Sequence, residues 1–499
     1  MATTARTAAA LVGSALLLAG PTVLAFFTGG YFDAARVWAG LIAWALVFLG
    51  MVTVPSAVPR DRTAWLALGG LGLLAAWTLL SMAWAPIVGS AYGAGQRLVL
   101  YAGTLLAAAC LLQLRAAQRA AEPALAVGAV IVIGYGLSER LLPGLLHFSH
   151  SNGALGRLEQ PLTYWNAMGE LAALGLVLCS RLAGDVRRPL RLRVLAAAAS
   201  APLGMGLYLS VSRGALFACL AGLVAVVVAA GRREQLWAAL VCAGAGLLGA
   251  FAAAPFRDVT SLLGPLGSRE QQGAVCLALL TVAAVVAGFA QRRIADHERP
   301  RALGLPRHAP LIALVVIVLG LGVAIIAGAK EHASGRLSSG SNRLVSLQSN
   351  RYAYWRVAVR AFGDEPLRGV GAGGWAVYWL RYRPFDEGAQ NAHSLPIETA
   401  AELGLVGVVL LLTFVSGVGL AARKSWRRSP AAAAGPLAGC VVYLAHSPLD
   451  WDWQVPAVTL IALVLAGSLL AQTDGASEPA TREGRRPSVS TDEGGVALG

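Results

Sequence analysis

The sequence predicts an all-α, polytopic membrane protein, and three observations carry that prediction. Hydrophobic residues make up 57% of the chain and charged residues 13%, about half the roughly 25% charge of a soluble domain. Apolar runs follow one another along the chain, each long enough, at about 17–25 residues, to cross a hydrocarbon core. A single long polar stretch, 329–394, interrupts them and closes on Gln390-Asn391-Ala392-His393-Ser394, directly ahead of the apolar run LPIETAAELGLVGVVLLLTFV.

Taken in order, spans are expected near 8–28, 36–54, 63–84, 98–114, 121–138, 163–180, 194–211, 214–230, 235–254, 272–290, 309–328, 395–422, 433–449 and 455–472. Gly and Pro blur the junctions near Arg213 and Ala434, so the expected number is about 12–14 helices. The run after Arg6 is read as an uncleaved first helix because further spans follow it. Arg60 with Arg62, Arg115 with Arg119, Arg181 to Arg193, Arg232 with Arg233, Arg292 to Arg307 and Arg423 to Arg428 fall on alternate loops. Basic residues in short loops mark the cytoplasmic side. Both termini are therefore expected in the cytoplasm, and the 329–394 loop outside the plasma membrane. Residues 1–472 form the membrane domain, and the tail 473–499, poor in large apolar residues, is expected to be disordered.

The formal charge of +14 is explained by these loop ends lying near anionic lipid, which argues against a nucleic-acid partner. Cys110, Cys179, Cys219, Cys242, Cys276 and Cys440 all fall in apolar spans with no C-x-x-C spacing, so neither disulfides nor cysteine metal sites are expected.

Inside the long loop, Tyr352, Trp355, Val359 and Phe362 recur at helical spacing with Arg351, Arg356 and Arg360 between them, which predicts a basic amphipathic helix. Pro366 and the glycine run Gly369–Gly374 stop it, the glycines allowing a tight turn beside the membrane, and a second aromatic helix is expected over about Gly374–Tyr382. His393 at the mouth of the next span can act as a general base near neutral pH, or be a helix-start histidine at an interface. Glu398 and Glu402 lie one turn apart on that span. Charges at bilayer depth cost about 2.5–3.5 kcal/mol each, and these two read equally as a structural pair holding the site or as proton-relay groups. Arg213 interrupts two apolar runs in SVSRGAL, where it binds an anion bidentately or snorkels to the surface. Arg351, Arg356 and Arg360, with Arg343, point as a set to an anionic substrate. Asp450 and Asp452 in PLDWDWQVP form a D-x-D; its plainer reading is an interfacial turn whose Trp451 and Trp453 sit in an aromatic belt.

These residues together resemble the O-antigen ligase and polymerase superfamily. The carrying motifs are the arginine and tryptophan helix (Arg351, Trp355), the D-x-P-x-x-G-x-G-x-G turn from Asp364 to Gly373, His393 at the end of the loop, and E-x-G-x-x-G from Glu402 to Gly407. Upstream, SVSRGAL is similar to the family's S-R-G segment. TYWNAMGELAAL is a looser match to N-x-N-x-x-A, with Tyr164 for the first Asn and Gly169 for the Ala. The resemblance implies a membrane glycosyltransferase of the O-antigen ligase type. It would move a glycan from a polyprenyl-diphosphate carrier to an acceptor hydroxyl on a surface glycan or glycolipid at the outer leaflet. His393 would be the general base, with Arg213, and Arg351 beside it, binding the diphosphate, Arg356 a further substrate-binding residue, and Asn391, Glu398 and Glu402 supporting the site. The family pattern implies no cofactor and no metal. A polysaccharide polymerase of the same superfamily and a small-anion transporter are the alternatives.

Overall fold

A computed structural model describes residues 2–55, 57–297, 301–329 and 350–474. Arg343 and the tail beyond Asp474 lie outside the described residues. All the predicted spans are helical: α1 (Ala2–Ala25), α2 (Asp33–Thr53), α3 (Arg62–Leu80), α4 (Val88–Leu111), α5 (Arg115–Leu141), α6 (Trp165–Gly184), α7 (Leu190–Leu209), α8 (Arg213–Ala230) and α9 (Arg233–Ala253). A short α10 (Arg257–Ser261) precedes α11 (Leu266–Asp296) and α12 (Ala309–Ala329), and the polar stretch contributes α13 (Arg351–Asp364) and α14 (Trp375–Tyr382). The chain then ends in α15 (Leu395–Arg428), α16 (Pro430–His446) and α17 (Pro456–Ala471). Eleven of these helices are long and apolar enough to cross a membrane, and the apolar helices Ala309–Val323, α16 and α17 are shorter. The chain is a multi-pass membrane protein. The junctions near Arg213 and Ala434 both separate true helices, the second across Ser429 alone.

The centre of the bundle is α6, buried from Asn166 to Gly184 and packed by α5, α7, α8, α9 and α16. A helix wrapped on all sides in this way needs no solvent-facing polar face. All six cysteines are free thiols.

Two features of the polar stretch differ from the expectation. In α13 the packed face is Ala353, Tyr354, Val357, Ala358 and Ala361, one step round from the stripe read in the sequence, and Val359 is 63% exposed. Alanines let the backbone approach α15 closely, and that contact outweighs the larger side chains of the other face. The span read as 395–422 is also not continuous. It breaks at Gly404 (φ 64°, ψ −162°), and the segment Pro366–Gly371 closes the break. Val370 and Gly371 N–H donate to the carbonyls of Ala401 and Glu402 at 3.0 and 2.8 Å, while Leu405 and Val406 N–H donate to Pro366 and Leu367 at 2.8 and 3.3 Å. Trp77 Nε1 donates to the carbonyl of Leu403 at 3.0 Å. Backbone groups freed at membrane depth must be satisfied from within the protein, and here a single irregular segment does most of it. A Cβ on Gly369 would lie 2.3 Å from the Glu402 carbonyl, and one on Gly404 2.4 Å from the Leu367 oxygen. The two glycine motifs are the facing halves of one lock, a tighter role than the simple turn expected.

Candidate functional site

The loop that carries His393 is held from beneath by α15. Glu398 accepts the N–H of Ala392 at 2.7 Å and the amide of Gln454 at 2.6 Å, and the same amide reaches Asn391 Oδ1. Leu395 N–H donates to the carbonyl of Ser447 at 2.9 Å, tying the start of α15 to the end of α16. Held in this way, His393 takes a left-handed backbone (φ 53°), a conformation that costs an L-residue on the order of 1–2 kcal/mol. Glu402 acts one turn deeper, where its carboxylate accepts the N–H of Trp375 at 3.3 Å and caps α14. Trp375 and Trp379 of α14 are fully buried against Tyr354.

The imidazole of His393 stacks on Tyr354 (centroids 5.1 Å apart, 29° between planes) and meets the edge of Trp451 at 6.1 Å. Its Nδ1 lies 2.9 Å from the carbonyl oxygen of Asn391. A carbonyl only accepts, so Nδ1 carries the proton and Nε2 holds the lone pair of the neutral ring. Burial lowers the pKa of the imidazole below its ordinary value. Asp450 opposes that shift and Arg351 reinforces it, leaving a neutral ring at neutral pH.

Asp450 is the polar hub beside it. Fully buried, it accepts from Tyr164 Oη, from Asn166 Nδ2, from Arg351 Nη2 at 2.6 Å and from the backbone N–H of Trp451 at 2.9 Å. Burial would raise its pKa, but Arg351 first, then His393 and His446, hold the carboxyl below its usual value. Tyr164 shows the converse: burial, then the charges of Asp450 and Asp452, push its phenol well up, so it remains a donor.

Arg213 opens α8, capped by Ser212 Oγ accepting from Ala215 N–H at 3.3 Å. The positive charges of Arg351 and Arg213 both act on the phenol of Tyr352, which burial raises and they lower, so the two arginines border one tyrosine. Arg356 is placed differently. It is exposed on α13, away from the face that packs against α15. Arg360 stacks over Tyr382 at 3.8 Å.

Two site residues are placed otherwise than the sequence suggested, and a third, Arg157, was not singled out there. Asp450 and Asp452 are both fully buried, so the turn between α16 and α17 that carries them is not an exposed one. Trp451 and Trp453 pack on Tyr31, Tyr164, His393 and Tyr101 and are not a lipid-facing belt. Arg157, 6% exposed, lies 3.6 Å over the ring of Trp165 and donates from Nε to the Ala154 carbonyl at 2.8 Å. The available signal was D-x-D next to two tryptophans, whose burial no local pattern reveals. Asn391, Glu402 and Gln454 also border a cavity of about 760 Å³ that reaches Arg36 and Arg97. Arg97 Nε is buried there with no hydrogen-bond partner among the described residues.

Polar chemistry thus converges on one end of the bundle: a neutral histidine with a free lone pair, two arginines nearby, and a carboxylate held by four donors. No curated protein matches the chain. Residues 258–412 match the family model described as O-antigen ligase, a stretch that holds Arg351, His393, Glu398 and Glu402 while Arg213 and Asp450 lie beyond it, so this multi-pass membrane protein is similar to O-antigen ligases over that stretch.

Proposed function

We propose that the protein transfers a glycan from a polyprenyl-diphosphate carrier to a hydroxyl of a surface glycan or glycolipid, on the extracytoplasmic side of the plasma membrane. The observation that carries this reading is the fixed tautomer of His393, a neutral base near Arg351, with Arg213 bordering the same Tyr352 as Arg351. The acceptor oxygen attacks the anomeric carbon as its proton passes to His393 Nε2. The bond from that carbon to the diphosphate breaks, and its electron pair stays on the phosphate oxygen. Arg213, with Arg351, stabilises the negative charge that develops there, as preorganised cations do in acyl and phosphoryl transfer. The proton leaves Nε2 for the diphosphate or for water, returning the ring to its starting form. No step calls for a nucleotide, since the donor bond is already activated.

The cavity of about 760 Å³ is in the range of small-ligand pockets, about 300–1,000 Å³, and suits the acceptor sugar. It shares Phe32 with an apolar groove of about 680 Å³ running between α1 and α2, which fits the chain of a lipid-linked substrate. The alternation of basic loops supports the assigned orientation. A small-anion transporter is less well supported, because the backbone groups freed at the break in α15 are taken up by the 366–371 segment. The decisive test replaces His393 by Ala and Arg213 by Ala and follows surface glycan together with membrane insertion. Loss of transfer with normal insertion is expected; normal surface glycan in both variants would overturn the reading. Reconstitution with a lipid-linked donor separates ligase from polymerase, since a polymerase lengthens the glycan on the carrier itself.

A further inference from the structure

A second histidine cluster lies two residues from Asp450 and takes no part in the proposed transfer. Glu170 of α6, His446 at the end of α16 and Asp452 in the turn before α17 are each fully buried. One donor atom from each lies within 4.8 Å of the others. His446 Nδ1 is 3.3 Å from Glu170 Oε2 and is bonded to Asp452 Oδ2. Among the described residues neither oxygen of Glu170 accepts a hydrogen bond, and Asp452 Oδ1 and His446 Nε2 also lack a partner. Two carboxylates therefore compete for one ring nitrogen. One imidazole can balance only one of the two buried carboxylates, and a charge left unbalanced in a low-dielectric interior costs several kcal/mol.

We propose that Glu170, His446 and Asp452 bind a divalent transition cation of the zinc or manganese type. The two carboxylates balance its charge, and His446 Nδ1 supplies the nitrogen. Because both Glu170 oxygens are unbonded, that residue can chelate with both, giving four donors, the number a closed structural site uses. A mixed nitrogen and carboxylate set favours zinc or manganese over calcium or magnesium, which take oxygen donors. Bonds of about 2.0–2.2 Å need only small side-chain adjustments from the present spacing.

The position gives the ion a purpose. It joins α6, α16 and the turn that carries Asp450, and a Cβ on Gly214 would lie 2.9 Å from the imidazole of His446. The same ring is thus packed against the start of α8, next to Arg213. A cation at this point fixes the relative placement of Asp450 and Arg213 without touching substrate, making its ligands positioning residues.

The test uses the full chain in detergent, purified on a histidine-free tag without chelator, with metal content and thermal melting as readouts. About one zinc or manganese per chain is expected. Chelator should lower Tm and zinc or manganese restore it, and Glu170→Gln and Asp452→Asn should lose the ion while His393→Ala keeps it. Wild-type protein that holds neither metal and shows no Tm response to chelator or to added zinc and manganese overturns the proposal. So does full metal content in both cluster variants, which would place the ion elsewhere. Should either variant fail to fold, the chelation and reloading of wild-type protein decides alone.

Discussion

His393 and His446 sit beside two aspartates that are two residues apart, yet their surroundings are opposite. His393 has one nitrogen committed to the Asn391 carbonyl, and its neighbour Asp450 is saturated by four donors. His446 is shared by two carboxylates, and Glu170 accepts no hydrogen bond among the described residues. The same residue types therefore serve different ends. Where the carboxylate is satisfied elsewhere, the imidazole keeps a lone pair for chemistry; where carboxylates are left wanting, the imidazole is drawn into a structural cluster.

The contrast breaks most readily at the histidines themselves. His393→Ala should lower the transfer rate by about 10²–10⁴-fold, the usual contribution of a general base, with melting nearly unchanged. His446→Ala should instead strip out a buried partner at a cost of about 3–5 kcal/mol, read as a fall in Tm. Equal destabilisation by the two changes would erase the distinction. Asp450→Asn comes next, since it leaves Arg351 without its carboxylate. A loss of a few kcal/mol is expected, below the range of about 3–5 kcal/mol for a fully buried pair because Arg351 is 24% exposed. Melting in micelles with transfer rate measures it.

The pH profile sharpens the comparison. The active form of His393 is the neutral one and its pKa is depressed. The acidic limb of kcat/KM should therefore lie below the ordinary imidazole value of about 6.5, activity being lost as pH falls through it. Arg351→Gln should move that limb upward, because it removes a cation that opposes protonation and frees the charge of Asp450 to favour it. A limb unmoved by the change would show that His393 does not sense this pair. At the glycine lock, Gly404→Ala should cost about 1–3 kcal/mol of backbone strain plus the overlap of its Cβ with the Leu367 oxygen, visible in Tm. The smallest effect is expected at Arg356→Gln: an exposed residue away from the packed face of α13 should shift stability by no more than about 0.5 kcal/mol and leave the transfer rate close to wild type.

The sequence alone determined the membrane class, the helical segments, the two loop helices and the motifs around His393, because hydropathy and glycine spacing are local properties. It also pointed to Arg213, Arg351, Glu398 and Glu402, each a charge too costly to place in or beside an apolar helix without a reason. Tertiary structure alone decided the rest. Which face of α13 packs depended on alanines meeting α15; the break at Gly404 is stable only because a segment more than thirty residues upstream satisfies it. Arg356 separated from Arg351 because one helix face is covered and the other open. Asp450 and Asp452 look like a surface turn until α6, α13 and α16 close over them, since burial is a property of neighbours distant in sequence and no window along the chain contains it.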